Sequence, residues 1–292
     1  MQFDIITMLP DGFDYLSKSV LGRAQQRGKI KVVIHNLRDY TIDNYKTVDD
    51  RPYGGGVGLV MKVDVAFRAL ASVILRERAT EESNIRSFAS AQDDISISYP
   101  PATPSRSDGG RGKLKPKTRI LLVTPQGKPF TQKDAERFAK KYDRIIILAG
   151  RFEGYDERIR KLVDEEISIG DYILTGGELP AMAIVDAVSR LIPGVLGKDE
   201  SSHHESFTEG LLEYPQYTRP EKFCHEVRPK RGRTSRAQRG STSKGRTISK
   251  CLSVPPILKS GHHAQIANWR KQQAEKRTRN RRPDLWAKYK IK

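Results

Sequence analysis

Two short apolar runs separated by one polar segment set the strongest limit on the fold. The runs are RILLVTP at 119–125 and RIIILAG at 144–150, and both are rich in Ile, Leu and Val without alternation. Continuous apolarity is typical of strands that are covered on both faces, as in a parallel sheet. The segment between them, TQKDAERFAKKY at 131–142, begins with a capping Thr and has helical spacing. Together they predict a β-α-β unit and hence an α/β fold.

The same alternation of strand and helix continues on both sides of this unit. FDIITML at 3–9 predicts a buried strand, and VDVAFRALASVIL at 63–75 predicts a packed helix. Further on, SIGDYILTGGELPA at 168–181 predicts a strand, a glycine turn and the start of a helix. Pro180 lies near the first turn of that helix, and Pro193 with Gly194 is expected to stop it.

Two polar stretches interrupt the pattern. Residues 77–117 are rich in Ser, Pro, Gly and charge, and residues 223–252 are strongly basic with few apolar side chains. Both are predicted to be insertions without stable structure. The expected division of the chain is a main domain of residues 1–76 and 118–200, the insertion 77–117, a linker 201–222, the basic insertion 223–252 and a small helical domain 253–292.

The charge of the chain points to a polyanionic partner. The formal net charge is +18, and residues 259–292 contain eleven Lys and Arg against two acids. Ser260 is a candidate N-cap for a basic amphipathic helix there, which Pro283 should break. Nucleic acid is the simplest partner for such a surplus, and a solvated tail that binds nothing specific is the alternative.

Several classes of protein are excluded or not supported. No run approaches the roughly 18 apolar residues of a membrane span, and MQFDIITMLP lacks the basic and apolar regions of a secretory signal, so we expect a soluble, cytoplasmic protein without a membrane partner. Cys224 and Cys251 have no CxxC partners and are expected to be free thiols. Neither GxxxxGK[ST] nor a strand-turn-helix GxGxxG is present, so a nucleotide loop of the common types is not supported.

The glycines of SIGDYILTGGELPA allow two interpretations. Gly170, Gly176 and Gly177 could let a ligand approach the main chain closely, with free amides facing it. An ordinary turn between a strand and a helix explains them equally well.

Five stretches taken together are more specific. They are TVDDRPYGGG from Thr47, TPQGKPF from Thr124, GRFEGYDERI from Gly150, SIGDYILTGGELPA from Ser168 and SRLIPGVLG from Ser189. In this order they resemble the bacterial tRNA (guanine-N1)-methyltransferase family. The resemblance implies a parallel-sheet α/β fold of the SPOUT class with a deep trefoil knot, a small C-terminal helical domain that holds tRNA, and a homodimer whose active site is completed by the partner chain.

The resemblance also implies S-adenosylmethionine as the methyl donor, held largely by loop backbone. The positions expected to bind it are Thr124, Pro125, Gly150, Glu153, Gly154, Ile169, Gly170, Asp171, Tyr172, Ile173, Leu174, Gly176, Gly177 and Pro180. Members of the family also depend on Mg²⁺, although no ligand set for a metal is visible in the sequence.

The reaction requires a base for the N1 proton of guanine and a cation for charge moving onto O6. The matching cation is Arg190, with the ordinary role of a cation at a helix C-terminus as the alternative. The family places an aspartate directly before SF, and here Glu205 stands there, one methylene longer; a solvated loop acid is the alternative. Asp49, Arg51 and Gly55 are expected near the substrate base or as turn residues, and Arg270 and Lys271 near phosphates.

The implied activity is methylation of N1 of the guanosine on the 3′ side of the anticodon, position 37 of tRNA. Two other activities stay open. The chain could be a tRNA-binding relative with impaired catalysis, because Glu205 departs from the family pattern and two stretches interrupt the resemblance. It could also methylate a ribose 2′-hydroxyl, as other knotted methyltransferases do.

Overall fold

The computed structural model describes residues 1–81, 117–197, 205–207, 210–227 and 248–291. The chain divides into two compact units, Met1–Ser201 and Ser202–Lys292. The strands of the first unit are β1 Gln2–Thr7, β2 Lys31–Asn36, β3 Asp49–Asp50, β4 Val60–Met61, β5 Thr118–Pro129, β6 Arg144–Ala149 and β7 Glu165–Ser168. Its helices are α1 Ser19–Gln26, α2 Val63–Glu81, α3 Gln132–Lys141 and α4 Glu178–Ser189, with 3₁₀ helices at Pro10–Ser17, Leu37–Tyr40 and Glu157–Leu162.

A five-stranded parallel sheet forms the centre of the first unit. The strand order is β2-β1-β6-β5-β7, and every neighbouring pair is parallel. All six residues of β6 are buried, which is the burial that its uninterrupted apolar sequence predicts. The α/β fold with a parallel sheet and the β5-α3-β6 unit are therefore confirmed.

Helices cover both faces of the sheet. Ile145 and Ile147 belong to a core cluster that includes residues of α1, α3 and α4. Ile146 and Leu148 alternate with them and pack into a second cluster with α2. Because successive side chains of a strand point to opposite faces, a strand with apolar residues at every position needs a helix layer on each side.

Helix α3 begins as its sequence predicts. Thr131 is the N-cap residue, and its backbone amide and hydroxyl both donate hydrogen bonds to the Asp134 carboxylate, at 3.1 and 2.6 Å. These two bonds tie the N-cap residue to the first turn of α3 and satisfy the backbone amide of Thr131.

Three predicted elements have different bounds in the structure. Strand β7 ends at Ser168, so the apolar residues that follow it form a loop and not a strand; the Ser168 hydroxyl bonds to the backbone of Gly170, which has a φ of +152°. Helix α4 ends at Ser189, four residues before Pro193. Helix α2 continues to Glu81, beyond the expected start of the first insertion.

The second unit contains a strand pair and two helices. Its elements are β8 Lys222–Val227, β9 Ile248–Ser253, a 3₁₀ helix at Pro256–Lys259, α5 His263–Arg281 and α6 Pro283–Lys290. The covered face of α5 includes Ile266, Trp269 and Gln273 together with the buried Ala274 and Thr278. The predicted break at Pro283 is confirmed, whereas the N-cap residue of α5 is His262 and not the expected Ser260.

The prediction that Cys224 and Cys251 are free thiols is wrong. Strands β8 and β9 are antiparallel, and their register places Cys224 opposite Cys251 with a Cα–Cα distance of 4.0 Å, where the two form a disulfide. All but the first residue of β8 and the last residue of β9 lie inside the stretch 223–252 that was expected to be unfolded, so the ends of that stretch are ordered by pairing. Its middle, residues 228–247, lies outside the described residues, as do most of residues 77–117.

No helix within the described ranges is both long and apolar enough to cross a membrane.

Candidate active site

A cavity of about 600 Å³ lies at the carboxyl ends of strands β5, β6 and β7. In a parallel sheet these ends share one edge, where open α/β folds bind their ligands. The walls come from three segments: the irregular part of β5, the residues after β6, and the residues from the end of β7 to the start of α4. The lining residues are Leu122 to Gln126, Gly150 to Tyr155, Glu157, Arg160, Ile167 to Gly170, Tyr172 to Gly177, and Pro180.

An irregularity in β5 supplies the first wall. The pairing of β5 with β7 shifts register between Val123 and Lys128, so the residues between them leave the ladder. A Cβ atom on Gly127 would lie 2.4 Å from the backbone nitrogen of Ile167. The bulge and β7 therefore approach more closely than any larger residue at position 127 allows.

A direct backbone contact joins the other two walls. The amide of Gly177 donates a hydrogen bond of 2.7 Å to the carbonyl of Gly150. A Cβ atom on Gly177 would lie 2.9 Å from the Cα atom of Ala149 and 2.8 Å from Cγ2 of Val123. The start of α4 thus packs against the ends of β5 and β6, which is a structural reason for glycine beyond that of an ordinary turn.

The glycine-rich loop between β3 and β4 lies against the cavity wall. The Glu153 amide donates to the Leu59 carbonyl, and the Met61 amide donates to the Gly154 carbonyl, each at 3.1 Å. Gly58 has a φ of +85°, and a Cβ atom there would lie 2.3 Å from Cγ of Glu153. Substitution at Gly58 would therefore disturb the wall as well as its own turn.

Charged side chains around the cavity are engaged with one another. Arg151 donates through Nε to Oε1 of Glu178 at 2.9 Å, and the Thr7 hydroxyl donates to the same oxygen at 3.2 Å. Glu178 is buried in the first turn of α4, where a negative charge is favourable to the helix dipole. On the other side, Arg160 lies 3.2 Å from a Glu157 oxygen and bonds to the side chain of Gln126.

Every residue predicted to bind the cofactor lines this cavity except Asp171, which is exposed. The loop residues Tyr172 to Gly176 belong to neither a helix nor a strand, so their peptide groups are not used by a helix or a sheet ladder. Eleven further lining residues were not predicted, among them Tyr155 and Arg160. Most of these belong to TPQGKPF, GRFEGYDERI or SIGDYILTGGELPA, or lie next to one of these stretches. Their position in or beside a quoted motif is the signal that could have identified them.

The two predicted catalytic residues belong to different units. Arg190 follows α4 as its C-cap residue and lines a smaller cavity of about 230 Å³ together with Tyr15, Lys18 and Asp186. It is not among the residues that line the larger cavity of its own chain. Glu205 belongs to the second unit and is half-buried.

The predicted substrate residues divide in the same way. Asp49 lies in β3 opposite Met61, whereas Arg51 and Gly55 follow in the exposed loop, where Gly55 has a φ of +78°. None of the three lines the large cavity. In the second unit, the Arg270 guanidinium lies 4.8 Å from the centre of the Tyr214 ring, and Lys271 is exposed on α5.

Among the residues that the structure describes, no group of three or more His, Cys, Asp and Glu side chains could hold a metal ion.

The fold and the cavity define an α/β protein with a cavity of small-molecule size at the carboxyl edge of a parallel sheet. A family model described as tRNA (Guanine-1)-methyltransferase TrmD matches residues 1–88, 110–232 and 241–288. This chain belongs to that family. The stretches that the model leaves out, 89–109 and 233–240, are shorter than the two insertions predicted from composition.

Curated relatives agree across nearly the whole chain, and each is named tRNA (guanine-N(1)-)-methyltransferase. One from Geobacter sp. (strain M21) is 41% identical over 287 residues, covering 98% of this chain and 89% of its own. One from Synechococcus sp. (strain RCC307) is 39% identical over 289 residues, covering 99% and 94%. One from Staphylococcus aureus (strain Newman) is 40% identical over 291 residues, covering 99% and 92%.

Proposed function

We propose that this chain transfers a methyl group from S-adenosylmethionine to N1 of the guanosine on the 3′ side of the anticodon in tRNA, position 37. The observation that carries the proposal is the convergence of three separate motifs on one cavity. TPQGKPF, GRFEGYDERI and SIGDYILTGGELPA are far apart in the chain, yet each contributes a wall. The family to which the chain belongs supports S-adenosylmethionine as the proposed ligand and methyl transfer as the proposed reaction.

The size and lining of the cavity fit the proposed methyl donor. About 600 Å³ lies within the usual range for small-molecule sites. The loop after β7 offers apolar side chains such as Ile173 and Leu174 together with peptide groups that no ladder uses. When bound, the sulfonium supplies an activated methyl group, so the protein has to position it and exclude water.

The proposed fold is a deep trefoil knot, as in the family. Its support in this chain is the position of Gly177, which packs against Val123 and Ala149 while its amide bonds to Gly150. A segment late in the main domain therefore passes directly against the ends of two earlier strands.

The proposed active site is shared between two copies of the chain. Arg190 lines the smaller cavity rather than the larger one of its own chain, and a homodimer that brings it to the partner's methyl donor accounts for this separation. There the guanidinium would stabilise the negative charge that moves onto O6 of guanine. Glu205 is the proposed base that takes the N1 proton.

The proposed tRNA-binding surface lies in the second unit. Residues 259–292 carry eleven Lys and Arg against two acids, and Arg270 and Lys271 are proposed to contact phosphates. Tyr214, with the Arg270 guanidinium over its ring, offers a face on which an unstacked base could lie. The proposed location is the cytoplasm, where tRNA is modified. Magnesium is retained as an expectation of the family, and no step is derived through it.

A methyl-transfer assay tests the proposal. Purified protein is incubated with S-adenosylmethionine labelled at its methyl group and with tRNA transcripts that carry guanosine or adenosine at position 37. We expect labelled 1-methylguanosine from the first transcript and no label in the second. Label in both transcripts would favour ribose methylation, and tRNA binding without transfer would favour the catalytically impaired relative.

Glu205 has its own prediction. Because a positioned base contributes roughly 10²- to 10⁴-fold, we expect Glu205→Gln to lower kcat by about that factor while tRNA binding persists. Glu205→Asp, which restores the family residue, is the matched control and should retain activity. The measurement is single-turnover methylation, and an unchanged rate for the Gln variant would remove Glu205 from the mechanism.

A further inference from the structure

Tyr155 lines the cavity, and its hydroxyl makes hydrogen bonds to the backbone of Gly150 and of Val123. The amide of Gly150 donates a hydrogen bond of 2.8 Å to the Tyr155 hydroxyl, and that hydroxyl donates one of 2.9 Å to the carbonyl of Val123. One phenol oxygen thus joins the end of β6 to the point where β5 leaves its ladder.

The ring of Tyr155 is held as firmly as its hydroxyl. It packs against the core cluster that α2 forms on one face of the sheet. A Cβ atom on Gly150 would lie 2.5 Å from Cε1 of the ring. The residues on both sides of Tyr155 are paired with the backbone of Met61, through Gly154 O and Asp156 N, each at 3.1 Å.

The hydroxyl also stands next to the contact between the second and third walls. Gly150 donates to Tyr155 through its nitrogen and accepts from Gly177 through its oxygen at 2.7 Å. Through these two hydrogen bonds, Gly150 connects the Tyr155 phenol with the start of α4. All three walls of the cavity meet at this point.

This geometry changes the role expected for Gly150. Its amide is already used by Tyr155, so it is not offered to a ligand. The absence of a side chain at Gly150 instead admits the Tyr155 ring. Burial raises the pKa of Tyr155 above its usual range, which keeps the hydroxyl protonated and able to donate to Val123.

We infer that Tyr155 is a positioning residue for the methyl donor: its hydroxyl fixes the spacing of the three loops that form the cavity, without itself taking part in methyl transfer. The inference rests on the proposed function, because it assumes that the cavity is the S-adenosylmethionine site. A ligand that contacts all three walls loses binding affinity when their relative positions change, because it can no longer make all of its contacts at once.

The test is Tyr155→Phe in the full-length protein, which removes one oxygen and keeps the ring. We expect the Kd and the KM for S-adenosylmethionine to rise roughly tenfold, while kcat at saturating donor stays within about twofold and the KM for tRNA does not change. Since the hydroxyl does not titrate near neutrality, the ratio of variant to wild-type KM should be constant between about pH 6 and 9.

Tyr40→Phe is the matched control. The Tyr40 hydroxyl lies 3.3 Å from Nδ1 of His35, and its ring packs against the same core cluster, but Tyr40 does not line the cavity. This variant should lower the midpoint of thermal unfolding without changing the KM for the donor. Calorimetric titration well below the unfolding midpoint measures binding to folded protein even where Tyr155→Phe is also less stable.

Two results are decisive and distinguishable. Tight donor binding by the wild type together with an equal Kd for Tyr155→Phe would overturn this inference alone. No donor binding by the wild type would overturn the proposed function, and this inference with it.

Discussion

Asp134 illustrates how far single side chains depend on their immediate partners. Its carboxylate is buried and accepts hydrogen bonds from Thr131, from Lys128 at 2.9 Å and from Arg137 at 3.3 Å. Burial alone would raise the pKa of Asp134, but these hydrogen bonds outweigh it and lower the pKa to about 2. The group therefore stabilises the folded chain through its charged form.

A pH-dependent loss of stability follows for Asp134→Asn. At neutral pH the variant should be about 2 kcal/mol less stable than the wild type, the usual scale for hydrogen bonds to a charged group. A carboxyl whose folded pKa is lowered contributes above its unfolded pKa, near 3.9, and loses this contribution as the pH falls toward about 2.

Urea unfolding at about pH 7, 5 and 3 measures the difference between the two proteins. We expect the difference to be equal at the two higher values and smaller at the lowest. A difference that stays the same throughout would show that the Asp134 charge is not what stabilises the start of α3.

The proposed role of Glu205 depends on its surroundings as well as on its own side chain. The sequence identifies an acid in the family's place, and the structure shows it half-buried in the second unit. Its chemistry depends on where the extra methylene places the carboxylate, which is a property of the assembled active site. Comparing the methylation rates of Glu205→Gln and Glu205→Asp therefore separates the need for a carboxylate from the effect of its extra methylene.

Among the helices and strands, the pairing of β8 with β9 explains why the composition of residues 223–252 gave a wrong prediction. The stretch from 223 to 252 has the polar, basic composition of a disordered segment, yet its two ends form the strands β8 and β9. Cys224 and Cys251 are 27 positions apart in sequence and meet only because the antiparallel register aligns them. Composition describes a segment by itself, whereas a strand is stabilised by its partner.

The disulfide between these strands gives a second prediction. Protein that is unfolded without reductant should show no thiol that reacts with an alkylating reagent, and both thiols should react after reduction. Because a cross-link limits the freedom of the unfolded segment, Cys224→Ser should accelerate hydrogen exchange in β8 and β9 while leaving the parallel sheet unchanged. Cys251→Ser should behave identically, and two reactive thiols before reduction would contradict the pairing.

The loop after β7 is the opposite case, an apolar stretch that forms no strand. The sequence of residues 169–174 favours β structure, but the strand stops at Ser168, whose hydroxyl bonds to Gly170. Local hydrogen bonds of this kind compete with the sheet ladder. The exposed apolar side chains that result, such as Ile173 at 82% exposure, fit the proposed role of this loop in binding the methyl donor.

For the molecule as a whole, the most important property for RNA binding is the position of its positive charge along the chain. The net charge is +18, and nearly all of it lies in the C-terminal part of the chain, including a net +8 from the nine basic residues and one Glu between 225 and 251. Charges of this kind supply affinity for a phosphate backbone without sequence preference, and the affinity falls as salt rises.

Replacing residues 228–247 by a short Gly-Ser turn should therefore weaken tRNA binding more at low salt than at high salt, and should reduce the slope of log Kd against log salt. A variant with the same length but with every Lys and Arg of this stretch changed to Gln separates charge from length and should behave in the same way. Filter binding across a salt series is the measurement, and an equal loss at all salt concentrations would show that charge is not the cause.

The amino-acid sequence was sufficient to predict the α/β class, the β5-α3-β6 unit, the break at Pro283 and thirteen of the twenty-four residues that line the larger cavity. These features depend on periodicity, capping and motifs, which are local properties of a chain. Three further features are evident only in the folded structure. They are the Cys224–Cys251 disulfide, the end of β7 at Ser168, and the hydrogen bonds of Tyr155 to Gly150 and Val123. Each of these requires atoms distant in sequence to meet, and the energy of such contacts depends on the packed arrangement, which no local stretch encodes.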